Sequence, residues 1–311
     1  MSRAHASPPT APSIIALVLN YHQRERTVRF LRDLFAAEPS LVELIVVDNS
    51  SPAVLQPGDV VLPGIPVRLL TPGRNLGVAG GRNLGITAAL EAYSSWEYLA
   101  MLDNDLIIPQ GGLHALVAGL QDISTAAIAG PCIVDAYDPA VVVAAGGDVL
   151  PFFYPRYRGH RQRIHSVSVG SARGTAFVQG GAAVYRRTVL ESGVRFDDRF
   201  NPYGPEDIDF CLAAAAAGFG VIVVPTVRFG HEGRGTYKTT LRHQRHLAAG
   251  EILLRLKWAP HPRIAILAYL VWKVLRAVLH VPWREKGKAA VGTLMGAGDA
   301  IRRWREVRRE P

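Results

Sequence analysis

The sequence predicts an α/β protein with a mostly parallel central sheet and helices on both faces. Short apolar runs rich in branched residues, which are typical of buried parallel strands, occupy residues 13–20 and 41–48. Segments with apolar residues at helical spacing alternate with such runs, and this alternation is the pattern of a layered α/β sheet. A further run at residues 96–102 leads into acidic residues, as the second run does.

Apolar runs and glycine positions place the individual elements. In the first half, the predicted strands are residues 13–20, 41–48, 67–70 and 96–102. Helices are expected around residues 28–35 and over 86–93, the second one after a glycine-rich stretch at 73–85. In the second half, we expect strand-like segments at residues 141–150, 175–185 and 221–225. One helix is expected at residues 207–217, and it stops at Gly218.

Composition limits the function classes. The chain has 311 residues, of which 49% are hydrophobic and 20% charged, so it can bury a sizeable core. Residues 1–12 lack the basic cluster and apolar stretch of a secretory signal, and we expect a loose tail there. Cys132 and Cys211 both lie among apolar residues. They predict inert core thiols in a reducing compartment, which favours the cytoplasm over a disulfide framework.

The net charge of +9 is concentrated at the C-terminal end of the chain. Residues 261–311 contain eleven Lys and Arg residues but four Asp and Glu residues, whereas residues 1–260 contain 24 and 22. A nucleic-acid-binding core is therefore not predicted. The pattern indicates a basic C-terminal segment that faces an anionic surface.

The apolar part of that segment, residues 264–281, predicts an amphipathic helix. Lys273 and Arg276 would be costly at a bilayer centre. Its polar residues recur on one stripe, namely Tyr269, Lys273, Arg276 and His280. This favours a helix lying in the membrane interface. The alternative is a helix packed on the body of the protein or on another subunit. Arginines that favour anionic headgroups follow at Arg302, Arg303, Arg305, Arg308 and Arg309.

Polar residues follow three of the predicted strands, at residues 20–21, 48–50 and 103–105. Ligands of open α/β sheets collect at the carboxyl ends of the strands, so we expect one shared polar site. Asp103 and Asp105 are spaced so that both carboxylates of an extended strand end would point the same way, toward one Mg²⁺ or Mn²⁺ ion. A solvated turn is the alternative. His231 is a candidate third ligand or a surface histidine.

Two further clusters carry candidate chemistry. Three acids, Glu206, Asp207 and Asp209, begin the predicted helix, either complementing its dipole or supplying a carboxylate that accepts a proton from a hydroxyl. The glycine-rich stretch holds two Arg-Asn pairs, at residues 74–75 and 82–83. Close backbone approach and arginine favour phosphate binding there, and a structural turn is the alternative.

In this order and spacing, the motifs resemble the inverting glycosyltransferase family 2, which has the GT-A fold. The matching stretches are VLNY (18–21), VVDNSS (46–51), NLGVAGGRNLGI (75–86), LDND (102–105), GGAAVYRR (180–187), FDDRF (196–200), EDIDFCL (206–212) and His231. They span residues 14–232. Among subgroups, the chain looks most like rhamnosyltransferase-type enzymes of bacterial cell-surface polysaccharides.

The resemblance implies a Rossmann-like GT-A domain over residues 13–260 and a helical C-terminal extension over residues 261–311. Residues 13–106 would form the nucleotide-sugar half, and residues 107–260 the acceptor half. The implied donor-binding residues are Asn20, Tyr21, Asp48, Asn75, Arg82, Asn83, Asp103, Gly180, Gly181 and Glu206. The implied metal ligands for Mn²⁺ or Mg²⁺ are Asp103, Asp105 and His231. Asp207 would be the catalytic base.

The resemblance also implies a nucleotide-diphosphate sugar donor, a saccharide or lipid-linked acceptor, and a cytoplasmic enzyme peripheral to the inner face of the cell membrane. A homo-oligomer is left open. Two rival functions are a sugar-nucleotide nucleotidyltransferase and a non-catalytic partner in a polysaccharide assembly. The first usually opens with a glycine-rich strand–turn, where this chain has LVLNYHQRER. The second would lack Asp207 or the Asp pair, and all three residues are present.

Overall fold

A computed structural model describes residues 12–92, 95–167, 170–233, 240–280 and 283–307 of the chain. The order of elements in the first half is regular, with strands and helices in alternation. They are β1 (Ile14–Asn20), α1 (Arg24–Ala37), β2 (Glu43–Asp48), β3 (Val67–Leu70), α2 (Gly77–Leu90) and β4 (Tyr98–Asp103).

The second half has shorter strands and ends in three helices. The elements up to the last strand are β5 (Leu106–Ile107), α3 (Gly112–Asp122), β6 (Ala126–Asp135), β7 (Val142–Ala144), β8 (Gly147–Leu150), β9 (Tyr154–Tyr157), β10 (Arg173–Gly174), β11 (Ala182–Arg186), α4 (Arg187–Glu191), α5 (Glu206–Ala216) and β12 (Gly220–His231). The C-terminal helices are α6 (Leu241–Trp258), α7 (Pro262–His280) and α8 (Trp283–Val307).

One ten-stranded sheet runs through both halves, in the order β10-β12-β6-β11-β4-β1-β2-β3, with β5 on β12 and β7 on β6. Strands β3, β2, β1 and β4 are mutually parallel. Strand β11 is antiparallel to both β4 and β6, so β6 and its parallel neighbour β12 run in the direction of β4. The mostly parallel α/β sheet predicted from the sequence is therefore confirmed.

The register brings the polar strand ends to one edge of the sheet. Asn20 lies opposite Asp48 in the pairing of β1 with β2, and Leu19 lies opposite Asp103 in the pairing of β1 with β4. Strand β11 starts at this edge, because Ala182 pairs with Leu102. The residues just before β11 consequently lie beside the end of β4.

Helices cover both faces, because side chains of a strand alternate between them. In β1, Ile15 and Leu17 pack in the layer that contains α2, whereas Ile14, Ala16 and Val18 pack in the layer that contains α1 and α3. Complete burial of each such Ile, Leu or Val side chain stabilises the fold by about 1.5–3 kcal/mol.

Most of the glycine-rich stretch is helical, and only residues 73–76 lie in a turn before the helix. Helix α2 begins at Gly77, nine residues before the expected helix start at residue 86. A Cβ at Gly81 would lie 2.6 Å from Leu19 Cδ1, and one at Gly85 would lie 2.2 Å from Leu17 Cδ1. Small residues let α2 approach the sheet closely, and this packing outweighs the helix cost of glycine, about 1 kcal/mol per residue.

The C-terminal helices pack on the body of the protein. A Cβ at Gly292 would lie 2.6 Å from Gln244 Cβ, so α8 approaches α6 closely. Of the expected polar stripe on α7, Tyr269 faces inward with 4% of its surface exposed, and the Lys273 ammonium lies 5.5 Å from its ring centre. Among the described residues, no helix is both long and apolar enough to cross a membrane.

Candidate active site

The ends of β1 and β2 are joined by a buried side-chain network. The Asn20 amide donates to Asp48 Oδ1 at 2.8 Å and accepts from Thr27 Oγ1 at 2.7 Å. Asp48 also accepts bonds from the backbone N–H groups of Ser50, Val54 and Leu55. Burial acts to raise the pKa of Asp48, but these hydrogen bonds outweigh it and the pKa is lowered.

The hydrogen bonds to Asp48 use the four acceptor sites that a carboxylate ordinarily offers. A contact from this side chain to a nucleotide base, as the family resemblance implies, therefore requires one of these bonds to open. Tyr21 lies at the rim of the same edge, with 52% of its surface exposed.

The first-turn N–H groups of α2 are bonded by the protein itself. Gly77 N–H donates to Asn75 Oδ1 at 2.8 Å, Val78 N–H to the Pro202 carbonyl at 3.0 Å, and Ala79 N–H to Asn201 Oδ1 at 3.1 Å. A phosphate at this helix start, which the glycine-rich motif suggested, would have to displace these bonds. Asn75 thus organises the turn.

Asn83, the second asparagine of the motif, is bonded to the backbone of Phe196 through both ends of its amide. Its Nδ2 donates to the Phe196 carbonyl at 2.8 Å, and its Oδ1 accepts from the Phe196 N–H at 3.0 Å. This side chain holds the segment after α4 against α2. The structure thus gives Asn83 a positioning contact rather than an open amide.

Arg82 is the central cation of the site. Its guanidinium is buried and donates to Asp103 Oδ1 at 3.2 Å and to Glu206 Oε1 at 3.1 Å. Burial acts to lower the pKa of Arg82, but the charges of Asp103 and Glu206 outweigh it, and the pKa is raised. The arginine therefore stays charged and ties the end of β4 to the start of α5.

Glu206 and Asp207 are adjacent acids in the first turn of α5, and the pKa of both is raised by burial. The charge of Asp207 adds to the effect at Glu206, whose pKa is raised to about 7. Asp207 Oδ2 accepts a bond from the Gly180 N–H at 3.4 Å. A carboxylate with a raised pKa is a better proton acceptor when ionised, which suits general-base chemistry.

Gly180 and Gly181 bring the two acidic regions together. A Cβ at Gly180 would lie 2.8 Å from Arg82 Nη1 and 3.0 Å from Asp207 Cβ, and one at Gly181 would lie 2.0 Å from Asp103 Oδ2. The Gly181 carbonyl also accepts a 2.7 Å bond from the Asp103 N–H. Two glycines therefore allow β4, α2 and α5 to present their charged groups in one place.

Asp105 lies beside His231, as one of the sequence hypotheses required. His231 Nε2 and Asp105 Oδ2 are 3.4 Å apart, because β12 extends beyond the expected strand 221–225 and pairs with β5. The hydrogen bond to Asp105 raises the pKa of His231. The other carboxylate oxygen, Asp105 Oδ1, is buried and has no hydrogen-bond partner among the described residues.

The structure pairs two of the three expected metal ligands, Asp105 and His231. In the described parts of the chain, no three His, Cys, Asp or Glu side chains are grouped to hold a metal ion. The carboxylates of Asp103 and Asp105 have different partners, Arg82 and His231, although their spacing suggested a common direction. Strand β4 ends at Asp103 and a turn follows, so the alternation of an extended strand does not reach Asp105.

The third acid of the predicted cluster, Asp209, belongs to a different network. It is fully buried and is bound by the Lys257 ammonium at 2.8 Å and by Trp258 Nε1 at 2.7 Å. Lys257 also contacts Asp197 at 2.9 Å. Asp209 therefore connects α5 to the end of α6. Sequence reasoning missed both Lys257 and Asn201, which lie far along the chain from their partners.

A family profile described as "Glycosyltransferase like family 2" matches residues 11–251. The chain belongs to this glycosyltransferase family. A Mycobacterium tuberculosis protein, Rv1525, is 29% identical to it over 247 residues, which cover 78% of this chain and 83% of the relative.

Two solved structures resemble this chain in fold. GalNAc-T7 with UDP, GalNAc and Mn²⁺ has a TM-score of 0.64 at 12% identity, and the match covers 98% of this chain but 59% of that one. The mannosyltransferase PcManGT from Pyrobaculum calidifontis, with GDP-Man and Mn²⁺, has a TM-score of 0.57 at 15% identity, and the match covers 94% of this chain and 88% of that one. These matches show the GT-A fold.

Proposed function

We propose that this glycosyltransferase moves a sugar, with inversion, from a nucleoside-diphosphate donor to an acceptor hydroxyl, and that Asp207 is its base. The observation that carries the proposal is the meeting of Asp207, Arg82 and Asp103 around Gly180 and Gly181. One buried cation and acids from two elements lie together at the carboxyl edge of the sheet, where α/β folds bind ligands.

The chemistry assigned to Asp207 is the removal of the acceptor proton. Its carboxylate takes the proton of the acceptor hydroxyl, and the hydroxyl oxygen forms a bond to the anomeric carbon. The bond from that carbon to the diphosphate oxygen breaks on the opposite face, and the leaving diphosphate keeps the electron pair. Burial, which raises the pKa of Asp207, supports this role.

Arg82 is assigned a positioning and electrostatic role. It is held by Asp103 on one side and Glu206 on the other, so its charge is fixed before the donor binds. A preorganised cation in a dry site stabilises developing negative charge more than one in water does. Its charge would offset that of the departing diphosphate.

We assign the divalent cation, Mn²⁺ or Mg²⁺, to Asp105 and His231. The buried Oδ1 of Asp105, to which no described residue donates a hydrogen bond, fits this assignment because such an oxygen is available as a ligand. Such ions commonly take one or two protein ligands and complete their shell with substrate phosphates and water. Bound there, the cation would supply positive charge for the donor diphosphate, and Asp103 would contact the ribose or the cation.

The acceptor and cellular location are part of the same proposal. The acceptor would be a saccharide or a lipid-linked saccharide in cell-surface polysaccharide or glycolipid synthesis, and rhamnose is the sugar that the subgroup resemblance favours. The basic C-terminal segment supports work at the anionic inner face of the cell membrane. Cys132 and Cys211 are free and buried, which fits a cytoplasmic enzyme.

A panel of nucleoside-diphosphate sugars tests the proposal. Each is added to the full chain with and without Mn²⁺, and thermal stabilisation and nucleoside-diphosphate release are measured. We expect at least one donor to stabilise the protein and to be turned over only with the metal present. The proposal would be contradicted if no donor in the panel, whatever its base and sugar, stabilised the protein or released a nucleoside diphosphate.

A further inference from the structure

Helix α7 packs on the protein through the side that carries Tyr269. The Tyr269 ring is 4% exposed and contacts two cations, the Arg255 guanidinium at 4.4 Å and the Lys273 ammonium at 5.5 Å. Ala265, one turn earlier on the same side, is also buried. These contacts set the rotation of α7 about its axis, so the opposite side of the helix necessarily faces outward.

That outward side is apolar. Its members are each between 51% and 64% exposed and recur at three- and four-residue spacing, at Ile264, Leu267, Val271, Val274 and Leu275. This spacing keeps them on one helical face. The side that packs on the protein is apolar as well, with Ile266, Leu270 and Trp272 partly buried against the core, so α7 carries apolar residues on both sides. Contiguous exposed apolar surface of this kind marks an interaction site.

Helix α8 repeats the arrangement. Cβ atoms at Gly292 and Gly296 would lie 2.6 Å from Gln244 Cβ and from the Arg245 carbonyl, so the glycine side of α8 is pressed against α6. The other side carries apolar residues that are between 40% and 72% exposed, namely Val291, Leu294, Met295 and Ile301.

The charges on these outward faces have one sign. Arg263 is exposed in the first turn of α7, and Arg302 and Arg305 are exposed near the end of α8. Within residues 261–275 and 290–305, whose side chains are described, the single acid is Asp299. It is buried and paired with Arg245 and Arg302. The outward faces therefore combine apolar groups with arginines.

We propose that the outward faces of α7 and α8 are a docking surface for an anionic phospholipid bilayer. The apolar side chains would enter the boundary between headgroups and acyl chains, and the arginines would contact the phosphates. A two-fold contact between copies would place the same arginine-bearing patch on both sides, so like charges would meet. An anionic surface complements both features. The inference rests on the proposed function in one respect: the docking surface would bring the enzyme to a lipid-linked acceptor.

Vesicle co-sedimentation of the full chain tests this surface. The vesicles contain phosphatidylcholine alone or phosphatidylcholine with phosphatidylglycerol, and no donor is present. We expect binding to the anionic vesicles that falls about ten-fold or more in the triple variant Leu267→Ser, Val271→Ser, Val274→Ser. Arg302→Gln with Arg305→Gln should lower binding to anionic vesicles by about five-fold per arginine. The matched control is Val61→Ser, which removes an exposed apolar side chain elsewhere.

Three outcomes would overturn the proposal. The first is triple-variant binding equal to that of the wild type, and the second is wild-type binding to neither kind of vesicle. The third is a triple variant with an altered molar mass in solution and unaltered vesicle binding, which would make the stripe a contact between copies. Because no donor is used, failure here is distinguishable from failure of sugar transfer. Unaltered circular dichroism of the variants controls for folding.

Discussion

The candidate active site depends on two residues that have no side chain. Gly181 leaves the space that the Asp103 carboxylate occupies, and Gly180 leaves the space between Arg82 and Asp207. Neither position has a positive φ, so the need for glycine there is one of volume. The same chemistry could not be assembled with any larger residue before β11.

The first prediction concerns Gly181→Ala. The new Cβ would lie 2.0 Å from Asp103 Oδ2, so the carboxylate, 49% exposed, should rotate away and lose its bond to Arg82. We expect donor affinity to fall about ten-fold or more, since a charged hydrogen bond contributes about 1.5–3 kcal/mol. Titration calorimetry with the nucleoside diphosphate checks it. Gly174→Ala is the control, because a Cβ there meets nothing within 4 Å; equal effects of both would contradict the account.

The second prediction concerns pH. Burial raises the pKa of Asp207, and burial together with the charge of Asp207 raises the pKa of Glu206 to about 7. Since a base works only when ionised, kcat/KM should fall as the pH drops, and the fall should begin at a higher pH than the usual pKa of an aspartate would give. Glu206→Gln removes a negative charge beside Asp207, and the charge of Arg82 is then shared between two acids, Asp207 and Asp103. Both changes lower the pKa of Asp207, so the acidic limb of the profile should move to lower pH.

The pH–rate profiles of the wild type and Glu206→Gln check this sign. The exposed acid Glu91, directly after α2, supplies the control substitution Glu91→Gln, which should leave the profile in place. An acidic limb that moves to higher pH in Glu206→Gln, or does not move, would exclude the proposed coupling between the two carboxyls.

At the scale of elements, the segment before α5 connects the site to α8. Asn201 accepts from the Ala79 N–H and donates to the Leu76 carbonyl, so it caps α2 from a distant part of the chain. Arg303 of α8 donates to the carbonyls of Arg199 and Asn201, at 2.9 and 2.8 Å. The start of α2 is therefore supported through two successive contacts.

Two adjacent arginines provide the third prediction. Arg303→Met should lower the free energy of unfolding by about 1.5–3 kcal/mol, because the backbone carbonyls of Arg199 and Asn201 lose a charged hydrogen-bond partner. The KM for the sugar nucleotide should rise, since Asn201 supports the start of α2. Arg302→Met should cost about 0.5 kcal/mol or less, since this side chain is 62% exposed in its pair with Asp299. Denaturant titration and donor kinetics compare them. Equal destabilisation by the two substitutions would count against this support.

Strands of the first half were predictable because each is a short apolar run that ends in polar residues, and β3 matches its expected range, 67–70. The start of α2 could not be predicted from the sequence. The local glycines favour a loop, and the close packing of the helix on Leu17 and Leu19 overrides that preference. Strand β6 and helix α3 were missing from the expectation. Pro131 within β6 weakens its strand pattern in the sequence.

The site was predictable as a set of residues but not as a geometry. The acids, Arg82 and the glycine pair could be named from motifs, whereas the separate directions of Asp103 and Asp105 depend on a turn that the spacing does not reveal. Asn201 and Lys257 act through contacts far along the chain, so no local pattern marks them.

At the scale of the whole molecule, the C-terminal segment is part of the folded body. Tyr269 and Ala300 are buried, and α8 lies directly against α6. The fourth prediction is that removal of residues 261–311 lowers the unfolding temperature by several degrees, since it exposes the α6 surface and removes the Arg303 contacts. Thermal unfolding of the truncated and full chains checks it. An unchanged unfolding temperature would show that the segment is a passive tail.

The most direct test of the whole account is Asp207→Asn, measured against the control Asp33→Asn at an exposed site on α1. Nucleoside-diphosphate affinity and the rate of transfer are measured for both. The account predicts unchanged affinity in Asp207→Asn and a rate lower by about 10²–10⁴-fold, the contribution of a general base. Transfer by Asp207→Asn at the wild-type rate would contradict the assignment of the base and, with it, the proposed mechanism.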